Sequence, residues 1–154
     1  MSAIDKVLFI LAFGRDVDFH DSCPQLTYLD RHTGEIVWLH ESDEDAYMEA
    51  GIPAEENRAG HERVADELNR YLHIPGLDHG DHHDILKRFL RAGWTDDAAL
   101  RQFAAQAYSG SIGRWKQDVS DYGAILAFHA FRKKRIAELA EEFLAENGID
   151  PRWR

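Results

Sequence analysis

Hydrophobic positions begin as an unbroken run, Val7-Leu8-Phe9-Ile10-Leu11-Ala12-Phe13, closed by Gly14. Ser2 with Asp5 three residues later reads as a helix start and Gly14 as a stop, so the run predicts a short helix. A continuous apolar run has no period of its own, and a buried strand stays the alternative. The next pattern is sharper. Leu26-Thr27-Tyr28-Leu29 and Glu35-Ile36-Val37-Trp38-Leu39 are two strand-like runs around Asp30-Arg31-His32-Thr33-Gly34. They predict an antiparallel hairpin over residues 26–39, its tip at His32–Gly34 and Gly34 supplying a positive φ. A lone hairpin is unstable in water, so a third strand from Val17–His20 or Tyr71–Ile74, or a helix, must cover it.

Beyond the hairpin the spacing turns helical. Ser42 opens a short acidic helix that Gly51-Ile52-Pro53 ends, and Val64, Ala65, Leu68, Tyr71 and Leu72 share a helical stripe. After Pro75-Gly76, Asp81 reads as the cap of a helix carrying Ile85, Leu86, Phe89 and Leu90. Thr95 reads as the cap of the next, whose buried face would hold Leu100, Phe103, Ala104, Ala107 and Tyr108. Ser109–Gly113 leads into a helix with Trp115, and a long last helix runs from about Tyr122 to Asn147, stopped by Gly148 and Pro151. No repeat or low-complexity linker interrupts the chain. One α+β domain over residues 1–154 follows, a small antiparallel sheet packed on a mainly helical C-terminal part.

The chain has 154 residues, 44% of them apolar and 11% aromatic, which excludes a disordered polypeptide. A single cysteine, Cys23, excludes a disulfide scaffold and a four-thiolate metal site. The apolar run is too short for a bilayer, which needs about 20 residues. It also lacks a cleavage signal before the charged segment Gly14–Asp18. These features read as a cytoplasmic protein with no membrane partner. The net charge of −10 opposes non-specific nucleic-acid binding. That charge is uneven: residues 1–60 hold 13 acids and 4 bases, residues 111–154 hold 7 and 8.

Several segments together resemble uncharacterised protein family 0158, a group of bacterial proteins of unknown function. Tyr28-Leu29-Asp30 with Thr33-Gly34-Glu35-Ile36-Val37 looks like its Leu-Asp-x-x-Thr-Gly-Glu-Val hairpin. Gly110 with Arg114-Trp115-Lys116, then Phe128-His129-Ala130-Phe131-Arg132, then Glu146-Asn147-Gly148-Ile149 follow in the family's order. Ile112, Gly113 and Lys133 depart from the aromatic, the Arg and the acid of its pattern. The resemblance implies a small sheet with a helical C-terminal part and no assigned activity, cofactor or ligand.

Three constellations carry chemistry. His79, His82 and His83, with His73 nearby, are dense enough for a divalent metal, and His79 and His83 share a helix face. They match no established ligand motif, so the plain reading is a polar loop entering a helix, with no metal. Ser111, Arg114, Trp115 and Lys116 open a helix behind a Gly/Ser loop and could hold an anion or partner, or simply cap a turn around a buried Trp115. Arg132 falls on the stripe of Ile125, Phe128, Ile136, Leu139 and Phe143, which predicts a buried structural ion pair with Asp30, Asp118 or Asp121. Lys133, Lys134 and Arg135 face elsewhere and form the one basic run, which on an acidic chain reads as a solvated helix face. No nucleophile motif and no cofactor signature appear. The reading is a non-enzymatic regulatory or interaction module with another protein, or a second copy of the chain, as partner. The alternatives are a metal-dependent hydrolase on the His cluster, and nucleic-acid or anion binding through Arg114, Lys116 and residues 132–135.

Overall fold

The computed structural model describes residues 3–16, 25–41 and 53–154. The first apolar run is a helix, α1 (Lys6–Phe13). Its cap is Asp5, whose carboxylate accepts the Leu8 N–H at 2.9 Å. Phe9, Ala12 and Phe13 face the core, while Val7 and Leu11 stay 75% and 61% exposed.

The hairpin forms as its alternation predicts. β1 (Gln25–Asp30) and β2 (Ile36–His40) run antiparallel with Tyr28 opposite Val37, and Gly34 turns with φ +78°. A third strand, β3 (Tyr71–Ile74), adds to the other side of β1 with Tyr28 opposite His73, giving the order β2-β1-β3. Tyr71 and Leu72 therefore leave the predicted helical stripe. The helix α2 (Ala54–Asp66) stops before them and leaves Leu68 71% exposed. What selects the strand is long-range. Asp30, at the end of β1, takes Arg70 in two bonds, Nε to Oδ1 at 3.0 Å and Nη2 to Oδ2 at 2.8 Å. The same carboxylate accepts the N–H groups of His32 and Thr33 in the hairpin turn. The outer edge of β2 is paired by a side chain: the Asn57 amide accepts from the His40 N–H and donates to its carbonyl. Val17–His20 and the helix expected after Ser42 lie outside the described residues.

Four further helices follow: α3 (His79–Arg91), α4 (Ala98–Ala107), α5 (Ile112–Val119) and α6 (Tyr122–Glu146). Two caps differ from the sequence reading. Asp78 rather than Asp81 starts α3, because the two acids cap each other: Asp78 accepts from the Asp81 N–H at 2.7 Å, and Asp81 returns the bond at 3.1 Å. Asp97 rather than Thr95 caps α4, since its carboxylate reaches the Leu100 N–H, while Thr95 accepts from Asp97 in the preceding turn. Of the face expected on α4 only Ala104 is fully buried, and Phe103 is half exposed. α4 is covered on one side, by α3 and α5, so a single row suffices.

The sheet divides two apolar clusters. Leu29 and Ile74 join the main core of Phe9, Leu86, Phe89, Trp115, Phe128 and Leu144, whereas Leu39, Val64 and Tyr71 pack between sheet and α2. Two long-range contacts then fix α1. Ile4 bonds to Arg152 and Arg154 of the C-terminal segment. Just beyond α1, Arg15 accepts the Leu77 N–H at 3.0 Å, which holds Arg15 and Asp16 against the start of α3. Among the described residues no helix is long and apolar enough to cross a membrane.

Candidate functional site

The end of α1 lies across the middle of α6. A Cβ on Gly14 would stand 2.9 Å from Ile136 Cγ2, so any side chain at Gly14 would push Ile136 away. This close crossing leaves an open groove of about 430 Å³, lined by Ile10, Leu11, Gly14, Arg15, Asp16, His129, Arg132, Lys133 and Ile136. On a chain of charge −10, its charged lining is three bases against one acid.

The buried ion pair that helical phase predicts for Arg132 does not form. The residue is half-buried at the groove, and among the described residues no carboxylate stands within ion-pair reach of it. Asp30 is taken by Arg70, Asp118 stands 3.7 Å from Arg114, and Asp121 caps α6 by accepting the Ala124 N–H. The guanidinium faces a histidine instead, its Nη2 3.5 Å from His82 Nδ1. An open groove explains the difference, because water reaches the charge and the desolvation that would demand a carboxylate is incomplete.

The histidines separate by helical phase. His82 is 4% exposed, and its Nε2 is buried without a hydrogen-bond partner. His79 and His83, one turn apart, meet at 2.8 Å between their Nε2 atoms. His83 Nδ1 bonds the Tyr108 hydroxyl, and His79 Nδ1 stands 3.8 Å from Asp16. The three rings do not converge, and among the described residues no three His, Cys, Asp or Glu are grouped to hold a metal ion. The chain from Asp16 through His79 and His83 to Tyr108 ties α3 to the end of α4.

The Ser111 loop proves to be a capping turn. The Ser111 hydroxyl accepts the Arg114 N–H, Trp115 is fully buried with its Nε1 donating to the Ala104 carbonyl, and Arg114 is exposed. Only Lys116 of that quartet turns toward Arg132. Its ammonium lies 5.9 Å from the Phe128 ring centroid. The basic run divides likewise: Arg135 pairs with Glu138 and Glu142, Lys134 is exposed, and Arg132 with Lys133 line the groove.

Burial first, and neighbouring positive charge second, set the protonation of the groups around Arg132. Burial, then the Arg132 charge, pushes the Lys116 ammonium and the His82 ring below their ordinary values, although Asp16 and Asp81 oppose this for His82. His129 is lowered by burial, then by Lys116 and Arg132. Arg15 is lowered by burial alone, and its Nε and Nη1 are buried with no hydrogen-bond partner. The Arg132 charge thus disfavours the charged forms of Lys116, His82 and His129, and an anion beside Arg132 would relieve that part of the conflict. Two planar guanidiniums are also suited to bind an oxyanion by paired N–H bonds.

Arg15 and Asp16 escape sequence reasoning, whereas helical phase sets His129 within the same stripe as Arg132 but gives it no role. Arg15 has only one local sign, a cation just past a helix C-terminus, where the dipole favours it. Compared with family models, curated proteins and solved structures, the chain matches none, so the site is read from its own geometry.

Proposed function

We propose that this protein is a non-enzymatic regulatory module whose groove between α1 and α6 receives an anionic ligand. One observation carries the reading: Arg15, Arg132 and Lys133 line one groove, with no carboxylate engaging either guanidinium among the described residues. An acidic protein ordinarily spends its few bases on its many acids, as Arg70 and Arg135 do here. Leaving cations together in a cleft raises the local concentration of an anion and speeds its capture. The groove is assigned binding and no reaction, since no hydroxyl or thiol lines it. The family resemblance adds no activity, and a protein partner would act by presenting its anionic group to this groove.

Ligand-linked stability provides the test. An anion that binds only the folded chain raises the unfolding midpoint in proportion to the logarithm of its concentration. Inorganic phosphate at constant ionic strength should raise the thermal midpoint of the wild type and raise that of Lys133→Gln much less. The variant also controls for general salting effects. Equal shifts in both proteins would refute the reading.

A further inference from the structure

We infer that the ligand of this groove is an amphiphile, a phosphoryl head carrying an unbranched apolar chain; the inference rests on the anion-binding reading above. The volume comes first. Small-molecule sites occupy about 300–1,000 Å³, and a water takes about 30 Å³ of liquid volume. At about 430 Å³ the groove far exceeds one oxyanion, and a head held by the guanidiniums leaves most of it unfilled.

The walls of that remainder are apolar. Ile10, Leu11 and Ile136 supply them, and Gly14 lets Ile136 approach the end of α1 closely. The apolar surface also continues past the groove. Val7 and Leu11, one turn apart, form a row along α1, and Arg15 follows just past its C-terminal end. Both are well exposed, at 75% and 61%. Exposed apolar side chains running up to a cationic end fit a ligand with the matching polarity, its charge against Arg15, Arg132 and Lys133 and its chain over Leu11 and Val7.

Charge selects the phosphoryl head. Arg15, Arg132 and Lys133 share the lining with His129 and a single carboxylate, Asp16, and the Arg132 charge also reaches Lys116 and His82. A dianionic phosphate monoester answers more of that charge than a carboxylate does. Its terminal oxygens can also accept paired N–H bonds from a guanidinium while meeting the Lys133 ammonium.

Calorimetric titration of the full chain with inorganic phosphate, hexyl phosphate, hexanoate and hexanol tests the inference. Hexyl phosphate should bind at least tenfold more tightly than phosphate and more tightly than hexanoate, with hexanol showing no saturable binding. Leu11→Gln, in the apolar wall, should reduce the ratio of hexyl phosphate affinity to phosphate affinity at least threefold. If phosphate binds and the hexyl chain adds nothing, or Leu11→Gln leaves its gain intact, the inferred amphiphile is wrong and the anion groove stands. If hexanoate equals hexyl phosphate, the head is wrongly assigned. If no anion binds, both fall.

Discussion

Replacing Asp30 with Ala removes one carboxylate that joins three parts of the sheet. It accepts Nε and Nη2 of Arg70, next to β3, and the N–H groups of His32 and Thr33 in the β1–β2 turn. The Asp30 side chain is 6% exposed and that of Arg70 28%, so water screens the pair from one side only. We therefore take the low end of a charge-assisted bond, about 1.5 kcal/mol, for the Arg70 contact and about 0.5–1 kcal/mol for each turn bond. The loss should be about 3 kcal/mol. With a urea slope of about 1–3 kcal/mol per molar, the unfolding midpoint should fall by at least about 1 M. The pair also has a pH signature. Arg70 and the turn N–H groups hold the Asp30 carboxyl well below the usual carboxylate range. Its contribution is thus fully present above the unfolded value near 4, and is lost as pH falls toward the lower folded value. The gap between wild type and Asp30→Ala should accordingly narrow in acid. A midpoint within about 0.3 M of wild type, or a gap constant down to about pH 2, would show that Asp30 does not hold the sheet.

Trp115 tests the core. Trp115→Ala should cost about 3–5 kcal/mol by chemical denaturation, because the ring is fully buried and its Nε1 satisfies the Ala104 carbonyl; a loss under about 1 kcal/mol would contradict that placement. His73, His82, His83 and His129 are all lowered, by burial first and then by neighbouring positive charge. Each binds its proton more readily in the unfolded chain, so stability should fall as pH drops below the ordinary histidine value toward the lowered folded ones. The thermal midpoint from about pH 7 to about pH 5 reads this, and His82→Asn should flatten the decline; a midpoint rising in that window would refute the sign.

The parts legible in the sequence are those fixed locally. The hairpin is one, since β-branched alternation and a Gly at the turn decide it within fifteen residues. The pairing of His79 with His83, and the length of α6, follow from helical period in the same way. What escaped depends on distant chain. Tyr71 and Leu72 satisfy a helical stripe and a strand equally well, and pairing with β1, with the Asp30–Arg70 bond beside it, chooses. Arg15 reaches the groove because Leu77 bonds its carbonyl and Gly14 lets α1 approach Ile136, neither of which has a local signature. The phase of Arg132 was readable, but not that its side chain meets an open groove. The rule that a buried charge needs a carboxylate therefore failed at a position only half buried.

Calorimetric titration of inorganic phosphate into the full chain at low ionic strength, with wild type beside Arg132→Gln, tests the groove most directly. The account predicts saturable one-to-one binding by the wild type, weakened at least tenfold in the variant while its unfolding midpoint stays close to wild type. Wild-type heats that never saturate, or equal affinity in the two proteins, would contradict it.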